Sequence, residues 1–306
     1  MEEKFTLIQK YVWLVTTIQR AGRISFAELN RQWRESPLSG GESLPKRTFH
    51  KWKDAVQSLF DLIIDNEKSG DFCYYIANPK TGARNDLAQW MLGTLSVSNM
   101  LLRYKRLASR IVLEDIPAGR DYLPLILDAM NSGHRLRLTY RTFRADATRA
   151  YHVEPYCLKL FRQRWYLLGK VPYRKQPTIY ALDRFEALSP LPDERFTMPK
   201  NFSADDFFYG CVGVIPEDGV PPEEILLRVT GGQANYLRTR PIHSSQREVE
   251  RTDDASVFSL HVRPTLDFFQ EVLIYTPHIE ILKPRWVRDE MAKRIQAMNI
   301  IYDIPR

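Results

Sequence analysis

The apolar residues of this chain change their repeat partway along it, and that change constrains the fold more than any single motif. Up to about residue 132, apart from a short strand-like stretch over 61–77, they recur every three to four positions, the spacing of helices that bury one face. From residue 135 they alternate, as in strands with one face buried. Beyond residue 222 the two patterns take turns. A chain of this kind must fold as several α+β domains. Its 306 residues also exceed what one core usually organises.

In the first segment, Leu7, Ile8, Tyr11, Val12, Val15 and Ile18 form one helical stripe that stops near Ala21-Gly22. Ser25-Phe26-Ala27-Glu28 fits a capping box, in which the Ser25 hydroxyl accepts from the amide three residues on and Glu28 reaches back. The helix it opens runs through about Trp33. A polar loop over 35–43 follows. Ser43 and Pro45 are start signals for a third helix that reaches about Phe60. Leu62 to Ile64 and Phe72 to Ile76 then flank Lys68-Ser69-Gly70-Asp71, a hairpin with glycine at its turn. Three helices and a hairpin within residues 1–80 match the layout of a winged helix-turn-helix.

Residues 81–133 are expected to be a helical connector and a candidate dimer surface, with Leu87, Met91, Leu95, Ser98 and Leu102 on one stripe. A break at 115–119 precedes a helix from Tyr122 to Met130. Strands are expected over Arg135–Thr142, Val153–Leu160, Arg164–Lys170 and Thr178–Arg184, closing as a small antiparallel barrel within 134–190. Prolines crowd 191–222, which suggests a linker, although Phe207, Phe208 and Tyr209 imply that it docks. Residues 223–306 follow the order β-α-β-β-α-β plus a final helix, the ferredoxin-like pattern.

The charge is basic, +7 with a pI near 9.2, which favours polyanionic partners. Its placement is more informative than its sum. On the third helix Phe49, Trp52, Val56, Leu59 and Phe60 make the apolar stripe, while Lys46, Arg47, His50 and Lys51 lie off it. The early turns of a recognition helix enter the major groove, where Arg and Lys reach guanine edges or phosphates. Thr48 and His50 can hydrogen-bond there, and Lys68 at the hairpin tip can meet the backbone. A second cluster, Arg162, Arg164, Lys170, Arg174 and Lys175, surrounds Trp165 and Tyr166, with Lys159 and Arg184 on neighbouring strands. Cations interleaved with aromatics suit nucleotides or single strands, whose phosphates pair and whose bases stack.

Other classes are disfavoured. Cys73, Cys157 and Cys211 are odd in number and far apart, which argues against a disulfide framework or a zinc site. No phosphate-binding glycine loop, HExxH or GxSxG motif is present, so no enzyme, metal or cofactor is expected. No apolar run is long enough to span a bilayer and the first residues do not form a signal peptide, so a soluble, cytoplasmic protein is expected.

Gln163-Arg164-Trp165-Tyr166-Leu167-Leu168-Gly169 contains the Trp-Tyr-Leu signature of the WYL-domain regulators. Leu138-Thr139-Tyr140-Arg141 resembles the family's first strand. His152-Val153-Glu154-Pro155-Tyr156 resembles its strand ending in proline, and Leu182-Asp183-Arg184-Phe185 its Leu-Asp-Arg-Ile segment. The resemblance implies a bacterial, homodimeric transcriptional regulator. It would have an N-terminal winged helix-turn-helix, an SH3/Sm-like barrel that senses a nucleotide or single-stranded nucleic acid, and a C-terminal extension of the WCX type. By matching position it implies a ligand pocket of Tyr140, Arg141, His152, Tyr166 and Arg184, to which the basic cluster around Tyr166 adds Arg164. Many members carry arginine where this chain has Ala181, and often arginine near the place of His152, so a less charged ligand is implied here. The alternative reading is an accessory protein that regulates a nuclease or other effector through protein contacts.

Overall fold

The helix that begins the described chain, α1 (Leu7–Ala21), buries Val12, Leu14, Val15 and Ile18 on one side, at the spacing that brings residues onto one helical face. The computed structural model describes residues 7–68, 72–77, 83–114, 119–143, 147–217 and 219–302, and divides into two units, 1–114 and 115–306. Among the described residues the architecture is mixed, with helices and three antiparallel sheets.

In the first unit α2 (Phe26–Glu35) starts at Ser25, whose hydroxyl accepts from the Glu28 amide at 3.2 Å. Only that half of the expected capping box forms. The Glu28 carboxylate turns along the helix to Arg31 and Gln32, at 2.6 and 2.7 Å, because two donors lie one turn away on the same face. The loop that follows is anchored by Asn30, whose Oδ1 accepts from the Leu44 amide at 2.7 Å. That bond places Leu44 in the core and Pro45 at the start of α3 (Lys46–Phe60).

Helix α3 buries Phe49, Trp52, Val56 and Phe60. Leu59 was expected on that stripe but is exposed, because it falls one position off the buried row. Trp33 joins the helices, with its ring 4.9 Å from that of Trp13 and 5.1 Å from that of Trp52. β1 (Ile63–Asn66) pairs antiparallel with β2 (Tyr74–Ala77), and Tyr74 also bridges back to Ile24. The expected turn at 69–71 lies outside the described residues. Helix α4 (Ala83–Arg103) packs into this core through Ala88, Leu92 and Leu95. Of the stripe expected for it, Leu95 packs inward, but Leu87, Met91 and Ser98 are exposed, and the inward positions of the first turns are the next residues, Ala88 and Leu92.

In the second unit α5 (Leu123–Ser132) shares a core with a five-stranded sheet, burying Ile126 and Ala129 against Leu136, Leu138 and Val153. The strands are β3 (His134–Thr142), β4 (Ala147–Phe161), β5 (Arg164–Lys170), β6 (Thr178–Ala181) and β7 (Phe185–Arg195), in the order β6-β5-β4-β3-β7. β4 is longer than expected because it serves two partners. Ala147 to Val153 pair with β3, and Glu154 to Phe161 pair with β5. A register shift between Pro155 and Cys157 bends it near the start of the second half. Gly169 lies opposite Pro155, and a Cβ there would come within 2.2 Å of the Val153 side chain.

Two corrections belong to this sheet. The strand expected to run through Arg184 ends at Ala181, and Leu182 to Arg184 form a 3-10 turn. The segment read as a linker from 191 begins inside β7, where Leu191 pairs with Arg135 and Arg195 with His134. Pro190 and Pro192 disguised that strand. They are tolerated because β7 lies at the sheet edge, where alternate backbone positions face away from the neighbouring strand.

The chain then crosses through a short helix, α6 (Ala204–Phe207), to a four-stranded sheet. Its elements are β8 (Glu223–Thr230), α7 (Gln233–Thr239), β9 (Arg247–Arg251), β10 (Ala255–Val262), α8 (Leu266–Leu273), β11 (Ile279–Lys283) and α9 (Arg285–Ile301). The sheet order is β11-β8-β10-β9, all antiparallel. Ile225, Leu227 and Val229 of β8 and Phe258, Leu260 and Val262 of β10 point to the side covered by Phe268, Val272 and Val287.

Candidate nucleic-acid and ligand sites

In the first unit the buried row of α3 forces its remaining side chains outward. Lys46, Arg47, His50 and Lys51 are exposed and Thr48 is half-buried, so the two opening turns present three cations and a histidine to solvent. Pro45 provides no capping side chain, and the first turn holds no acid. Nothing on the helix therefore neutralises the positive end of its dipole. The Lys46 ammonium lies 5.7 Å from the Phe26 ring centroid. Lys68, just past β1, is exposed, and the turn it precedes is outside the described residues.

In the second unit a cleft of about 390 Å³ opens between the bent sheet and the crossing segment that runs on from the end of α6. Tyr140, Tyr166, Ala181 and Arg184 form the sheet side, and Phe207, Val214, Ile215 and Pro216 form the other. Gln176 to Ile179 complete its lining. The Tyr140 hydroxyl accepts from the Ala181 amide at 3.3 Å. Burial raises the pKa of both Tyr140 and Tyr166, so the phenols stay protonated. Arg184 is the most constrained group. Its guanidinium lies 3.7 Å from the Phe143 ring centroid and 4.6 Å from that of Tyr140, and Nε and Nη2 donate to the Arg141 carbonyl at 3.1 and 2.7 Å.

The six residues expected to form one pocket are therefore divided. Tyr140, Tyr166 and Arg184 line the cleft. Arg164 lies 5.8 Å from the Tyr166 ring centroid but is bound by Asp183 at 2.6 Å. Arg141 contributes its carbonyl to Arg184 and turns its own guanidinium to Glu186 at 3.1 Å. His152 lies outside. On β4 it alternates with buried Tyr151 and Val153, so it points to the opposite face, where Nδ1 is 2.9 Å from Glu194. That outer face also pairs Arg135 with Glu154 at 2.8 Å.

The crossing segment was not expected to form a wall. Its anchors come from both sides. Asp267 of α8 accepts from the amides of Val214 and Ile215 at 2.7 and 2.9 Å. Lys159 of β4 donates to the Gly213 carbonyl at 2.6 Å, with its ammonium 4.0 Å from the Phe208 ring centroid. Burial lowers the pKa of this lysine. The one signal of this role in the sequence was the run Phe207-Phe208-Tyr209 in an otherwise proline-rich stretch.

Among the described residues no cluster of His, Cys, Asp and Glu could hold a metal ion. No helix among them is long and apolar enough to cross a membrane.

Protein PafB of Mycobacterium bovis and of Mycobacterium tuberculosis is 25% identical over 193 residues, which covers 62% of this chain and 57% of the relative. The match thus spans little more than half the length of these curated relatives. Among solved structures, proteasome accessory factor B/C (PafBC) of Arthrobacter aurescens covers 98% of this chain and 48% of its own, at 18% identity and a TM-score of 0.37. A CRISPR Cas-related protein covers 86% and 75%, at 12% identity and a TM-score of 0.38. Family models match two segments, the WYL domain over residues 121–190 and the WCX domain over 221–298. The first match includes Tyr140, Tyr166, Ala181 and Arg184, and the opposite wall of the cleft lies between the two matches. The chain carries a WYL domain followed by a WCX domain.

Proposed function

We propose that this chain is a DNA-binding transcriptional regulator whose WYL domain senses a nucleotide or single-stranded nucleic acid and thereby controls binding to an operator. On this reading the first unit is a winged helix-turn-helix, with α3 in the major groove and the β1–β2 hairpin with Lys68 against the backbone. The bent five-stranded sheet is an SH3/Sm-like barrel. The β11-β8-β10-β9 sheet with its helices is a ferredoxin-like domain. The observation that carries the reading is the outward face of α3, where Lys46, Arg47 and Lys51 stand exposed beside an uncapped helix start.

The test is duplex binding by a Lys46→Ala, Arg47→Ala, Lys51→Ala variant. These side chains are exposed, so the variant should melt like the parent. Loss of three phosphate or base contacts should weaken duplex binding by at least about 100-fold and flatten its salt dependence by about three charges. Unchanged binding by the folded variant refutes the assignment.

The same reading includes a homodimer, supported by the outer side of α4. There Leu87, Met91, Val97, Met100 and Leu101, with Tyr104 just past the helix end, are exposed, while Ala88 and Leu92 face the core. Together these side chains expose roughly 500 Å² of mostly apolar surface, so two copies would bury about 1,000 Å², near the lower limit for a specific interface. Sedimentation of Val97→Glu should show a monomer where the parent sediments as a dimer. A parent that is monomeric at micromolar concentration removes this part of the reading.

A further inference from the structure

The cleft in the second unit is far less cationic than the sequence around it. Arg162 pairs with Glu271 and Arg164 with Asp183, Arg141 pairs with Glu186, and His152 faces away. Among the described residues that line the cleft, Arg184 alone carries a charge. Two of its N–H groups already serve the Arg141 carbonyl, and a guanidinium has five. The facing wall is apolar, formed by Phe207, Val214, Ile215 and Pro216.

We infer that this cleft takes a planar aromatic or heteroaromatic ligand bearing one anionic group, with the anion on Arg184 and the ring between Tyr166 and the Phe207 wall. The inference rests on the ligand-sensing reading above and narrows it. The cleft's 390 Å³ lies at the small-molecule end of binding-site volumes. A guanidinium with N–H groups to spare recognises a carboxylate or a phosphate in a bidentate fork. Aromatic rings and flat apolar side chains on both walls suit a ring stacked between them. A polynucleotide is a poor occupant. The described lining offers a second phosphate no further cation, and a charge moved against apolar surface such as Val214, Ile215 and Pro216 without a partner is strongly disfavoured. The side chain at 181 has the same consequence, since Ala181 lines the cleft and adds no second cation.

The experiment is calorimetric titration of the full chain with four probes: adenosine 5′-monophosphate, 1-naphthoate, ribose 5-phosphate and single-stranded (dA)8. At least one of the first two should bind, and which one does separates phosphate from carboxylate as the anion. Ribose 5-phosphate, which lacks the ring, should bind at least about tenfold more weakly. The slope of log affinity against log salt should be shallow, about −1 or flatter, because a single small anion carries no condensed counterions to release and its ion pair is only screened. Arg184→Met should weaken the ring-bearing anion at least about tenfold. Because that change also frees the Arg141 carbonyl, the salt slope is read on the unaltered chain as an independent measure. (dA)8 binding more than tenfold tighter than the monophosphate, with a slope of −3 or steeper, overturns the single-anion inference and leaves ligand sensing intact. Binding of none of the four overturns both.

Discussion

Removing the Asp267 carboxylate should release the wall of the cleft without unfolding the unit that carries it. One oxygen of Asp267 accepts from two consecutive amides, Val214 and Ile215. The position suits a carboxylate, since Asp267 lies in the first turn of α8, where the helix dipole favours negative charge. The contact is also close enough to dictate its neighbour. A Cβ on Gly213 would lie 2.3 Å from the same oxygen. Hydrogen bonds to a charged acceptor contribute about 1.5–3 kcal/mol each. Asp267 is only half-buried, so water can replace part of what Asp267→Ala removes, and about 2–3 kcal/mol in total is a reasonable expectation. Each 1.4 kcal/mol is about tenfold, so amides 214 and 215 should exchange with solvent about 30- to 150-fold faster. Asp267→Asn keeps an acceptor oxygen without the charge and should give about half that effect in free energy. Hydrogen exchange resolved to peptides over 211–217 is the assay, with β8 as internal reference. Exchange at 214 and 215 within threefold of the parent refutes the argument. So does equal acceleration in β8, which would make Asp267 a general stabiliser of the unit and not an anchor for this segment.

The β4–β5 turn provides a second test. Arg162 and Gln163 both have positive φ, 48° and 63°, in a turn type that favours glycine and asparagine. Gln163→Gly should stabilise the chain by about 0.5–1 kcal/mol. Arg162→Gly gains the same backbone relief but leaves buried Glu271 without its cation, so a net loss of about 1 kcal/mol is expected, discounted because Arg162 is itself largely exposed. Denaturant midpoints that shift in the same direction for both would refute the assignment. A third test uses acid. Hydrogen bonds from Arg31 and Gln32 hold the Glu28 pKa at about 2, below its ordinary 4.5. A carboxyl whose folded pKa is depressed stabilises above its unfolded value and loses that contribution as pH falls towards the folded one. The melting temperature should therefore drop more steeply between pH 4.5 and 2 in the parent than in Glu28→Gln, and parallel curves would contradict this.

What the sequence determined by itself was local or periodic. The stripe of α1, the Ser25 cap, the outward basic face of α3 and the order of elements after residue 222 depend on spacing along one element, and each was legible before any coordinates. The Trp165-Tyr166-Leu167 signature and its flanking segments likewise pointed to the domain, by resemblance to the family. Tertiary structure decided which charges remain available. Arg162, Arg164 and Arg141 are identical to Arg184 as letters, but long-range pairing with Glu271, Asp183 and Glu186 neutralises three of the four. His152 was lost to the site by strand parity alone, since a neighbour on β4 faces the other way. The wall opposite Tyr140 and Arg184 came from residues 207–216, which show no helix or strand periodicity and whose anchors, Lys159 and Asp267, lie far off in the chain. Spacing records what one element does with its faces. It does not record which distant side chain arrives to satisfy a charge or an amide.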